Sequence, residues 1–109
     1  MTERLRERVN EAANGEYALA ARRHGASFRS AREGYRVIAE EVQEARDEVD
    51  EMTDLVKDLR TCLRTNEAAL IRQCAGKLRR AAVWTACEAI QVAVMTQKLL
   101  ATPAEEASD

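Results

Sequence analysis

Aromatic residues are scarce: one Trp, two Tyr and one Phe, 4% of 109 residues. No stretch is rich in β-branched or aromatic residues, so nothing reads well as a strand. One proline and four glycines leave little to interrupt a helix. Cys62, Cys74 and Cys87 are odd in number, widely spaced and form no CxxC pair. That argues against a zinc site and for three reduced, mostly buried small side chains. Neither charge sign dominates. A net charge of −2 gives no general attraction to nucleic acid or to an anionic membrane. The longest apolar stretch, Ala81 to Met95, is too short to span a bilayer and contains Glu88 and Gln91. Met1 to Asn10 alternates Arg and Glu with Leu and Val, unlike an export signal. The expectation is a cytoplasmic chain with no membrane and no nucleic-acid partner.

What is present favours helix. Hydrophobic residues make up 46% and charged residues 33% of the chain, with Ala, Glu, Arg and Leu dominant. The length suits one small domain. Thr2 caps a first helix that ends near His24, where Arg22, Arg23 and His24 suit the negative helix end and Gly25 the C′ position. Asn14-Gly15 is a candidate break in it. Gly25 to Phe28 reads as a loop, and Ser30-Ala31-Arg32-Glu33 as a capping box that starts a second helix.

From there the apolar positions are Tyr35, Ile38, Val42, Ala45, Val49, Met52, Val56, Leu59 and Leu63, in steps of three and four. That is a heptad seam. Arg64-Thr65-Asn66 interrupts it. Thr65 or Asn66 then caps a third helix, with Glu67 in its first turn. Its own seam runs Ile71, Cys74, Leu78, Ala81, Thr85, Glu88, Val92, Met95 and Leu99, ending before Pro103. Residues 1–102 read as a single all-α domain and 103–109 as a disordered acidic tail.

Two helices this long do not make a compact monomer, whose radius of gyration is about 13 Å at this length. Ala81 to Met95 is apolar nearly all round and needs enclosure on several sides. The expected fold is therefore all-α: a long antiparallel helix hairpin plus a shorter N-terminal helix, with a four-helix core completed by oligomerisation as a dimer or tetramer.

Glu88 interrupts the third helix's seam, and a buried carboxylate is costly unless paired or metal-bound. Gln91 follows one turn later on the same face. On the second helix Glu41, Glu44 and Glu48 run along one edge of the seam, with Glu40 farther towards solvent. About a turn at Asn66, Glu44 lies 22 residues before and Glu88 22 after; Glu41 and Gln91 are each 25 away. Carboxylates at one level repel, and a divalent cation relieves this. Oxygen ligands select Mg²⁺ or Mn²⁺ over zinc. The plainer alternative makes Glu41, Glu44 and Glu48 a solvated flank, with Glu88 paired to an arginine such as Arg46.

The stretch from Phe28 to Glu44, with Cys87 to Met95, resembles the MazG-like all-α nucleoside triphosphate pyrophosphohydrolases, especially the short MazG-like proteins of phages and bacteria. The resemblance covers about Phe28 to Leu100. Glu40-Glu41-Val42-Gln43-Glu44 matches the family's EExxE, and Glu88-Ala89-Ile90-Gln91 matches ExxD except for its last residue. The resemblance implies cleavage of a nucleotide between its α and β phosphates, giving a monophosphate and pyrophosphate. It also implies Mg²⁺ held by Glu41, Glu44 and Glu88, with Gln91 in the aspartate's place. Glu40 or Glu48 would support the metal or act as base. Gln91 offers a neutral amide oxygen, a weaker ligand for a hard cation, and the segment between the motifs is longer than in compact family members.

Other residues carry smaller expectations. Lys98, on the Gln91 side of its helix, is placed to reach a phosphate, and Phe28 to contact a base. Tyr35 and Trp84 are candidates to stack on a base, but as seam or near-seam residues they read first as core. Arg72, Lys77, Arg79 and Arg80 are read as a solvated basic face, and His24 as a helix-end residue. Gln91 keeps open a nucleotide-binding protein without turnover. The unbroken heptad keeps open a helical interaction or inhibitor module of phage type, with a protein partner on its outer faces.

Overall fold

A computed structural model of the protein describes residues 2–103; the expected acidic tail from Ala104 onward lies outside them. The described residues form three helices and no strand: α1 Glu3–His24, α2 Ala31–Thr65 and α3 Ala68–Leu100. None is long and apolar enough to cross a membrane. They divide into two packed units. One comprises the described residues of Met1–Val42 and Ala89–Asp109, the other Gln43–Glu88.

The helix ends follow local chemistry. Leu5 N–H donates to Thr2 Oγ1 at 3.2 Å, the expected N-cap bond. At the other end of α1, Gly25 N–H reaches the Ala21 carbonyl at 2.9 Å with φ of 88°, which favours glycine. Asn14-Gly15 does not break α1. One interior glycine costs only about 1 kcal/mol, and Ala12, Ala13 and Glu16 around it are adequate helix formers.

At the start of α2, Glu33 N–H donates to Ser30 Oγ at 3.2 Å. The Glu33 carboxylate returns to the Arg29 amide at 3.5 Å, one residue earlier than the standard box. The α2–α3 connection differs from expectation. Thr65 Oγ1 turns back to the Cys62 carbonyl at 2.9 Å, and Asn66 takes φ of 55°, so neither caps α3. Asn tolerates this left-handed conformation and ends α2. Glu67 stands at the head of α3 instead, its carbonyl accepting from Ile71 N–H at 3.0 Å.

In the first unit Phe28 is the centre. It is 4% exposed, and its N–H donates to Thr102 Oγ1 at 3.1 Å. A Cβ on Gly34 would stand 2.8 Å from Phe28 Cδ2 and 3.0 Å from Leu99 Cδ1, so the missing side chain is what admits the ring. Val94 is also buried, and Tyr17 OH donates to the Ala26 carbonyl at 2.9 Å, tying α1 to the following loop. In the second unit the buried residues are Leu55, Cys74 and Ala81, and Cys74 Sγ–H donates to the Leu55 carbonyl at 3.3 Å.

Every position of the expected α3 seam, Ile71 through Leu99, is buried or half-buried. On α2 only half the expected seam is covered. Ile38, Ala45, Met52 and Leu59 are half-buried, but Tyr35, Val42, Val49, Val56 and Leu63 are exposed. Their places are taken by the preceding residues Gly34, Glu41, Glu48, Leu55 and Cys62. The covered face of α2 is thus turned by about one residue. Within each unit a close contact fixes that rotation: Gly34 against Phe28 in one, the Leu55 carbonyl against Cys74 in the other.

Candidate metal centre

Glu41 and Glu44 stand one turn apart on α2, where a three-residue step aligns side chains. Glu88 comes from the middle of α3. Glu44 and Glu88, both in the second unit, each offer a carboxylate oxygen, and these oxygens lie within 4.8 Å of each other. Glu41 and Glu88 are half-buried and Glu44 is exposed. The electrostatics mark Glu88. Its carboxyl is held above the usual carboxylate range, first by burial, then by a hydrogen bond to Glu44 and the charges of Glu44 and Glu48.

The remaining expected residues are placed as follows. Glu40 is exposed on α2. Glu48 is half-buried and lines an open cavity of about 510 Å³ in the second unit, with Asp47, Glu51, Lys77, Arg80 and Trp84. Gln91 is half-buried and lines a smaller cavity of about 250 Å³ in the first unit, with Glu16, Arg23, His24 and Met95. His24 is the last residue of α1, as expected. Lys98 Nζ lies 4.7 Å from the centroid of the Phe28 ring, a cation–π distance. Phe28 thus departs from its expected role. It is a core residue under Lys98, not a ring open to a base.

Two further readings change. Trp84 is 58% and Tyr35 69% exposed, so neither is core. Tyr35 belongs to the α2 stripe that the covered face turns away from, and Trp84 lies off the covered seam of α3. Arg6–Glu3 and Arg29–Glu33 form ion pairs on α1 and at the start of α2.

Sequence reasoning passed over the cavity around Glu48. Its signals were Asp47 and Glu51 one turn apart from Glu48's neighbours, and Lys77, Arg80 and Trp84 at helical spacing. Taken singly, each is an ordinary surface residue. No protein-family model, curated protein or solved structure matches this chain.

Proposed function

We propose that the chain is a Mg²⁺-dependent nucleotide pyrophosphohydrolase that cleaves a nucleoside triphosphate between its α and β phosphates. The observation that carries the reading is the meeting of the Glu44 and Glu88 carboxyls, with Glu41 one turn before Glu44 on α2. Glu44 and Glu88, the latter resisting ionisation, form with Glu41 of the same α2 stretch a donor set made of hard oxygens alone. That set fits Mg²⁺, with Mn²⁺ as its substitute, and does not fit zinc. When bound, the ion would neutralise phosphate charge and orient the attacking water.

The chain's own residues divide the remaining work. Glu41, Glu44 and Glu88 hold the cation, and Gln91, one turn beyond Glu88, adds an amide oxygen. Glu48, beside Glu88 in charge and open to a cavity, is positioned to take a proton from water, with Glu40 as the outer alternative. Lys98, on the Gln91 side of α3, would leave the Phe28 ring to meet the phosphate chain.

The same proposal includes the assembly: α2 and α3 as an antiparallel hairpin, completed by a second copy of the chain. Tyr35, Val42, Val49, Val56 and Leu63 recur every seven residues on one exposed face of α2, the pattern of a helix seam still to be covered.

A second reading, nucleotide binding without turnover, is favoured by Gln91. Its amide is neutral and shares a cavity with Arg23 and His24. Calorimetry with Mg²⁺ and a nucleoside triphosphate, on wild type and Glu88→Gln, tests both readings. Mg²⁺ binding lost in the variant, with pyrophosphate release by wild type, supports the hydrolase. Binding without release selects the second reading. Mg²⁺ binding absent from both proteins rejects both and turns attention to a protein partner.

A further inference from the structure

The open cavity around Glu48 lies wholly in the second unit and has a chemistry of its own. Its volume is about 510 Å³, room for a small-molecule ligand. Asp47, Glu48 and Glu51 line it from α2, and Lys77, Arg80 and Trp84 from α3. Trp84 is the chain's one tryptophan and is 58% exposed. Asp47, Glu51, Lys77 and Arg80 are exposed as well, so a ligand meets an indole, two cations and several carboxylates in one place.

The cavity adjoins the Glu44–Glu88 pair. Arg80, Trp84 and Glu88 follow one another at four-residue steps on α3, which sets them along one face, each about 6 Å beyond the last. Glu44, Glu48 and Glu51 step by four and three along α2 in the same way. Glu48 belongs to both places: it lines the cavity, and its charge acts on Glu88. The lining carboxylates outnumber Lys77 and Arg80 three to two. A polyphosphate tail is therefore not favoured there. A neutral flat group with both donors and acceptors suits the cavity better, and in a nucleotide that group is the base.

A guanidinium donates two parallel hydrogen bonds, and a carboxylate accepts two. Among the common bases guanine carries both complementary forks: N7 and O6 accept, while N1–H and N2–H donate. Any base has a face that stacks on an aromatic ring. We propose that this cavity binds the base of the nucleotide and selects guanine. Trp84 stacks on the ring, Arg80 donates to N7 and O6, and Glu51 accepts from N1–H and N2–H. Asp47 already accepts from Gln43 Nε2 at 2.9 Å, which leaves Glu51 the freer carboxylate. The choice of a nucleotide as occupant rests on the metal reading of Glu44 and Glu88 above.

Trp84 supplies the probe, because it is the chain's sole source of indole fluorescence. The full chain is titrated with the monophosphates of guanosine, adenosine, cytidine and uridine in the absence of Mg²⁺, and Mg²⁺ affinity is measured separately by calorimetry. Guanosine monophosphate should quench the emission saturably and bind about tenfold or more tightly than the other three. Arg80→Gln and Glu51→Gln should each erase that preference and leave Mg²⁺ affinity unchanged. Both residues are exposed, so both variants should keep the helical circular dichroism. Equal affinity for all four nucleotides overturns the proposal, as does a guanosine preference that survives both substitutions. Mg²⁺ binding with no quenching by any monophosphate removes the base site and leaves the metal reading standing. Selective quenching by guanosine monophosphate in a chain that binds no Mg²⁺ does the reverse.

Discussion

The carboxyls of Glu44 and Glu88 meet across α2 and α3, and Glu44 makes Glu88 harder to ionise by hydrogen bond and by charge. A protein gains nothing in stability from crowding like charges. Removing one charge without changing shape should therefore stabilise the metal-free chain. Glu88→Gln is expected to melt a few degrees higher than wild type without Mg²⁺. It should lose Mg²⁺ affinity by at least the tenfold to hundredfold that weaker outer contacts cost a metal site. Differential scanning calorimetry with and without Mg²⁺ reads both effects. A lower melting temperature for the variant would show that the Glu88 charge is not repelled.

The pH dependence follows from the same pair. Glu88's carboxyl titrates higher in the folded chain than in the unfolded one. The unfolded chain gives up this proton first as pH rises, so the group contributes stability at low pH. That stability is lost as pH rises through the folded-state value. The advantage of Glu88→Gln over wild type should thus be largest near neutral pH and shrink on acidification. Urea midpoints across a pH series would show it, and a difference that does not vary with pH would count against the cause given.

Gly34 and Gly15 make a contrasting pair. Both are helical, and alanine gains about 1 kcal/mol over glycine in an open helix. At Gly15 nothing stands within 4 Å of an added Cβ, so Gly15→Ala should stabilise by about that amount. At Gly34 the Cβ would press on buried Phe28 and on Leu99. Overpacking costs about 1–3 kcal/mol, so Gly34→Ala should be neutral to destabilising by up to about 2 kcal/mol. Equal gains in urea unfolding at both sites would mean Phe28 is not held against α2.

Val49 and Val56, at 46% and 53% exposed, test the proposed assembly. Glutamate at either should leave the helix intact, because both face solvent in the isolated chain. It should shift sedimentation from oligomer to monomer by placing a charge in the covered seam. A sedimenting mass that does not change would move the interface off this stripe.

Sequence and structure contributed unequally. Thr2, Gly25 and the Ser30–Glu33 box carry their signals within a few residues, because a cap is a local hydrogen bond. The α3 seam was legible because its positions recur in steps of three and four, clear of the basic face of Arg72, Lys77, Arg79 and Arg80. The level set of Glu44 with Glu88 came from counting outward from the turn, since a helix advances evenly with residue number.

The rotation of α2 was not legible. A stripe that takes two of every seven positions names a face, not which edge of it meets a neighbour. Phe28 passed as a surface loop residue, because the space beside Gly34 that buries it appears only once α2 and the end of α3 are side by side. Trp84 and Tyr35 passed as core for the converse reason. Periodicity within the chain determined the three helices and which residues share a face. Only tertiary packing decided which edge of each face is covered, because that depends on contacts such as Phe28 against Gly34 between residues that share no local hydrogen bond.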